Sequence, residues 1–155
     1  ISNYYGINFL KNTDNFGSFF LNSMMSHTII NNDTNKIAID SSVIISSNFE
    51  IGFKFKNLFN NDQLKLSLSQ PNRVEKGNMK FRLMGLANKN GEVPYDDHII
   101  SLSPSGRQKD MILSYYKNFD DALKIGFKSI FTDDHSHVKS SSIDANFFIT
   151  ASLNF

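Results

Sequence analysis

Apolar and polar positions alternate along most of this chain. Between Ala145 and Phe155 the odd positions Ala145, Phe147, Ile149, Ala151, Leu153 and Phe155 are all apolar. The even positions Asn146, Thr150, Ser152 and Asn154 are polar, with Phe148 the exception. Successive side chains on a strand point to opposite faces, so this period of two predicts a strand with one apolar and one wet face. Phe49, Ile51, Phe53 and Phe55 alternate in the same way with Glu50, Gly52, Lys54 and Lys56. So do Leu64, Leu66 and Leu68; Met79, Phe81 and Leu83; Met111, Leu113 and Tyr115; and Leu123, Ile125 and Phe127. Weaker strands are predicted at about Tyr4–Lys11, Ser18–Ile29 and His98–Ser103. Alternation from Val43 to Phe55 exceeds the usual strand of about 5–6 residues and suits a tilted membrane strand of about 9–11.

These segments add up to about nine strands. Their connections fall into two kinds. Lys11–Phe16, Asn57–Asp62 and Lys117–Asp121 are tight, whereas Asn31–Asp40, Gln70–Asn78 and Thr132–Asp144 are longer and more polar. Membrane barrels have this asymmetry, with short turns on one side and long loops on the other. Asn88–Asp97 breaks the trend, being long where a short turn is due. The expected fold is all-β: an antiparallel up-and-down transmembrane β-barrel formed by one domain over residues 1–155. Alternation alone also allows a soluble β-sandwich, because it does not identify the apolar medium. Hairpin-length turns, lysines in mid-strand and a strand that stops on Phe155 favour the barrel.

Composition narrows the function further. Phe is abundant at 15 residues and Pro scarce at 3. The net charge of +1 provides no field for nucleic acid, and the absence of Cys removes disulfide and thiol chemistry. No apolar run approaches the roughly 20 residues of a membrane helix. Asp133, His135 and His137 carry metal-ligand chemistry, but a hydrophilic loop explains them as well. Ser, His and Asp are present without a nucleophile context, so no catalytic residue and no cofactor is assigned. On the polar parity, Lys54, Lys65, Lys80, Arg82, Lys124 and Lys128 predict a basic lumen. Such a wall suits an anion-preferring pore, a lining for a linker segment, or plain solvation. Tyr4, Tyr5, Phe59, Tyr95, Tyr115, Tyr116, Phe119 and Phe155 fall near strand ends, as in interfacial girdles or ordinary hairpin packing.

Two segments carry a family resemblance. Ser67-Leu68-Ser69-Gln70-Pro71-Asn72-Arg73-Val74-Glu75-Lys76-Gly77 resembles the S-Q-P-L-R-V-x-x-G hairpin in the translocator barrels of subtilisin-like autotransporters. Ile100-Ser101-Leu102-Ser103-Pro104-Ser105-Gly106-Arg107-Gln108 resembles their L-x-P-S-G-R-E segment. Asn72 replaces the usual Leu and Gln108 the usual Glu. The likeness runs from about Asn57 to Phe155 and is looser upstream. It makes Gln70, Pro71, Arg73, Gly77, Pro104, Gly106 and Arg107 the family positions. The alternating end Phe147, Ile149, Ala151, Leu153 and Phe155 resembles the strand by which outer-membrane barrels are recognised for assembly.

The resemblance implies a bacterial outer-membrane location and a roughly twelve-stranded barrel that is monomeric when complete. About three strands are then expected before Ile1. It also implies partners: bilayer lipid, the barrel-assembly machinery, and an N-terminal passenger with its linker. That passenger is usually a subtilisin-like serine protease, whereas this segment is not expected to be an enzyme. A general porin is the competing membrane function, and a soluble binding module the competing non-membrane one. From the residues themselves, Pro71 marks a strand end or bulge, as does Pro104, and Gly106 permits a tight turn. Arg73 and Arg107 either pair with Glu75 or Asp110 at the mouth or stand solvated.

Overall fold

The structure, a computed structural model, describes residues 1–13, 17–29, 43–119 and 123–153. Phe155, the connection 31–40 and the turn residues 14–16 lie outside them. The described chain is all-β and antiparallel. Its strands are β1 (Ser2–Thr13), β2 (Gly17–Ile29), β3 (Val43–Lys56), β4 (Asp62–Lys76), β5 (Asn78–Met84), β6 (Tyr95–Ser101), β7 (Lys109–Asn118), β8 (Leu123–Asp133) and β9 (Asp144–Leu153). All nine predicted strands are present, but they do not form one meander. A seven-stranded sheet runs β1-β2-β3-β4-β7-β8-β9, and β5-β6 make a separate two-stranded sheet.

The expectation of one up-and-down order is corrected at this point. Leu64, Leu66 and Leu68 on β4 face Tyr115, Leu113 and Met111 on β7, so β4 and β7 are direct neighbours. β5 follows β4 after Gly77 alone, and Leu102 N–H bonds Gly77 O at 2.9 Å where β6 ends. The β5-β6 hairpin is therefore an outgrowth of the β4–β7 connection. Alternation within Met79–Leu83 does not reveal which sheet the strand joins. With seven strands instead of nine, the exceptional length of Asn88–Asp97 is resolved. It is the tip of an outgrowth, on the same edge as the other long connections.

The tight edge owes its form to local chemistry. Asn57, Asn60 and Asn61 take positive φ of 57°, 71° and 55°, a region Asn tolerates better than most side chains. The Asp62 carboxylate accepts the Phe59 N–H at 3.1 and 3.2 Å and the Tyr115 hydroxyl at 2.9 Å. Pro71 lies where the β3–β4 register shifts between Ser47 and Phe49, a bulge that excuses its missing N–H.

Register aligns the alternation of each strand into two continuous faces. On one, Phe9, Leu21, Ile51, Leu68, Met111, Phe131 and Ala145 form a row. The next rows hold Phe19, Phe53, Leu66, Leu113, Ser129 and Phe147, then Phe55, Leu64, Tyr115, Phe127 and Ile149. Aromatic contacts run along this belt, with Phe19–Phe53 centroids at 5.2 Å and Phe131–Phe147 at 5.9 Å. Burial is inverted relative to a water-soluble protein. Phe53 is 50% exposed, Met111 54%, Phe147 62% and Ile149 80%, while Ser46, Ser67, Asp110, Ser114 and Thr132 on the polar face are buried; Asp62 and Ser129 are buried as well, on the apolar parity. Phe20, the buried large hydrophobic among the described residues, also lies on the polar face, opposite Gly52. No pairing joins β1 to β9 among the described residues, so the sheet is open there.

Candidate functional site

Two surfaces and one edge bring together the residues singled out in the sequence. On the polar face, Lys54 and Lys65 stand directly opposite one another in register. Like charges so placed repel. Both ammonium groups sit over the Phe20 ring, at 5.2 and 5.0 Å from its centroid, and Glu50 takes Lys65 at 2.6 Å. The ring quadrupole and the carboxylate offset the repulsion. Phe20 fits there because Gly52 has no Cβ; one added would stand 2.8 Å from the Phe20 ring and 2.3 Å from Leu66 O. Tyr116 uses Gly126 in the same way, directly opposite it, with Lys124 Nζ 5.0 Å from the Tyr116 ring centroid. Lys128 shares the register row of Lys54 and Lys65 through Ser114.

Lys80 and Arg82 are not on this face. Both belong to β5 in the projecting hairpin, where Lys80 Nζ lies 2.8 Å and Arg82 Nε 2.9 Å from Asp97. Their assignment to a common lumen wall is corrected accordingly. The hydrogen bonds from Arg82 and Lys80 hold the Asp97 carboxyl down at about 2, against an ordinary 3.8.

The long-loop edge gathers the two family segments. Arg73 donates from Nε to Gly106 O and from Nη2 to Pro104 O, both at 2.9 Å, and ion-pairs with Glu75. Arg107 donates to the same Glu75 Oε2 at 2.8 Å and to Gln70 Oε1. Ser47 closes the cluster, donating to Glu75 Oε1 at 2.7 Å. Gln70 is 1% exposed, the deepest side chain described. Gln70, Arg73, Pro104, Gly106 and Arg107 thus form one knot, tied on Glu75, with Pro71 next to Gln70 in the chain. Asp110, the other expected partner, instead accepts from Thr132 and Gln108, both at 2.9 Å. Gly77 stands at the root of the hairpin, beside Ile44 and Leu102.

The β8–β9 connection folds over the same knot. Gly106 N–H reaches His137 O at 2.6 Å, and a Cβ at Gly106 would stand 2.5 Å from Lys139 N. Gly106 is needed for this close approach and not for the tight turn expected of it. His137 Nδ1 accepts the Gln108 N–H at 2.9 Å, and its Nε2 donates to Asn72 O at 3.2 Å. His135 pairs with Asp144 at 3.3 Å, and Asp133 lies opposite Lys109. Both nitrogens of His137 are used within the fold, and no group of three metal-ligating side chains converges among the described residues. The sequence carried no signal that this connection would dock onto residues 106–108.

Phe147, Ile149, Ala151 and Leu153 all lie on the apolar face of β9, whose outer edge bears no partner strand among the described residues. Phe59 and Phe119 are exposed at the tight edge, where Lys117 Nζ donates to Phe59 O at 3.2 Å. Comparison with protein-family models, with curated proteins and with solved structures returned no match.

Proposed function

We propose that this chain is part of an outer-membrane β-barrel whose apolar face meets lipid and whose polar face lines a wet interior. One observation carries the reading: large apolar side chains are exposed along one face, while most of the buried polar side chains lie on the opposite one. A soluble sandwich buries its apolar face under a second sheet. Here the second sheet is the β5-β6 hairpin, whose partner strands are only each other. The exposed surface points the same way. A compact 17.6 kDa protein exposes about 7,900 Å²; this chain exposes 11320 Å². Among the described residues no helix is long and apolar enough to cross a membrane.

Strand direction sets what completes the barrel. Six antiparallel steps separate β1 from β9, so the two run the same way. Their direct pairing would be parallel. Antiparallel closure takes an odd number of further strands, and with seven here, five give roughly twelve. That replaces the three expected from a count of nine. Among membrane barrels, the resemblance of the Gln70–Gly77 and Pro104–Arg107 segments favours a translocator. In that role the barrel anchors the chain as a monomer, the assembly machinery recognises β9, and an upstream linker leads to a secreted passenger of subtilisin-like type. The knot on Glu75 serves it by fixing the long connections at the barrel mouth. A test is expression of the full-length protein followed by fractionation. The reading expects outer-membrane recovery and a mobility on unheated gels that boiling changes; recovery of folded protein without detergent would overturn it.

A further inference from the structure

The charges on the polar face are sorted by height. Three register rows nearest the tight edge contain Lys56, Lys124, and the trio Lys54, Lys65 and Lys128, with no carboxylate among their described members. One row beyond the Phe20 row holds Glu50, Asp110 and Asp144 together. The carboxylates are engaged: Glu50 by Lys65, Asp110 by Thr132 and Gln108, and Asp144 by His135. Solvation of an inner wall does not call for such sorting. Nor does it call for Lys54 directly opposite Lys65, a pairing that needs a ring and a carboxylate to be tolerated.

We infer that the tight-edge half of the polar face is an anion-binding station, with Lys54, Lys65 and Lys128 as its centre and small anions such as chloride and inorganic phosphate as its ligands. The inference rests on the barrel reading and deepens it. Both ammonium groups over Phe20 lie within about 5 Å of one centroid. An anion approaching this row meets three ammonium groups, one of them paired with Glu50, in a lumen bounded by low-dielectric walls, which focus the field. With Glu50 compensating one of the three, a net two unit charges at about 8 Å in water, screened by physiological salt, enrich a monovalent anion roughly twofold. A dianion gains the square of that factor.

The experiment is conductance of the full-length protein in planar bilayers under a potassium chloride gradient, with K54Q/K65Q and K128Q as variants. Heat-modifiable gel mobility reports whether each variant folds. The expected result is a reversal potential displaced toward chloride, moved toward zero in K54Q/K65Q, and a current reduced by millimolar phosphate in the unaltered protein only. Should K54Q/K65Q fail to fold, K128Q is expected to show the same change at smaller size. Conductance without anion preference, or with a preference that no lysine variant alters, overturns the station and leaves the barrel standing. Insertion without conductance does the same. Failure of the full-length protein to enter the bilayer overturns the barrel reading itself.

Discussion

Replacing Leu66 by arginine puts a charge at the centre of the apolar belt. Leu66 lies between Phe53 and Leu113 in register and is 41% exposed. If that belt faced water, the change would shift stability by no more than about 0.5 kcal/mol, as at most exposed positions. If it faces hydrocarbon, arginine near the bilayer midplane costs about 2–4 kcal/mol. At about 1.4 kcal/mol per decade, this lowers the folding equilibrium by roughly 30- to 800-fold. The matched control is Ser69→Arg, three positions along β4 on the polar face. Ser69 stands between Glu50 and Asp110 in register, so the new cation meets two carboxylates. Its cost is expected to stay below about 1 kcal/mol. The assay is denaturant titration of the full-length protein in phosphatidylcholine vesicles, followed by far-ultraviolet circular dichroism and by gel mobility. Equal midpoints for the two variants would refute the assignment of faces.

Other outcomes follow from the remaining contacts. Gly126→Ala places a methyl 2.5 Å from Thr150 Oγ1 and 2.7 Å from the Tyr116 ring, and is expected to cost about 1–3 kcal/mol. Adding Tyr116→Ala should recover part of that loss, giving a measurable coupling in a double-mutant cycle. Glu75→Gln removes the carboxylate shared by Arg73 and Arg107; with both groups part-exposed, a cost of about 1–2 kcal/mol is expected, with faster proteolysis near residues 134–141. Asp97 is depressed, so its favourable contribution to the β5-β6 hairpin is complete above pH 3.8 and is lost as pH falls through about 2. Carboxyl carbon shifts in a hairpin peptide-length segment of the intact protein, read from pH 5 to pH 1, check this; titration of Asp97 near 4 would contradict it.

The strands and their two faces were legible because alternation is a local property. Leu123, Ile125 and Phe127 read as one side of β8 before any partner is known, and register then places them opposite Leu153, Ala151 and Ile149. What escaped depends on contacts distant in sequence. The departure of β5 from the sheet leaves the period of Met79 and Leu83 unchanged, which is why alternation alone groups Lys80 and Arg82 with the lysines of the seven-stranded sheet. Phe20 looked like one more apolar residue in a weak strand; its position under two lysines requires Gly52 from the next strand. Glu75 was among the named partners of the arginines, yet the docking of His137 onto Gln108 and Asn72 joins residues 29 and 65 positions apart. No local pattern encodes such a meeting.

The chain contains no cysteine, so single cysteines can be introduced along β8 of the full-length protein without background. Spin labels at successive positions from Lys124 to Phe131 would be measured in bilayers for collisions with oxygen, which concentrates in lipid, and with a water-soluble nickel chelate. The account predicts alternation with a period of two. Labels at Ile125, Phe127 and Phe131 should collide with oxygen, and those at Lys124, Lys128 and Ile130 with the chelate. Chelate access at both parities, or alternation in the opposite phase, would contradict the claim that the apolar face meets lipid.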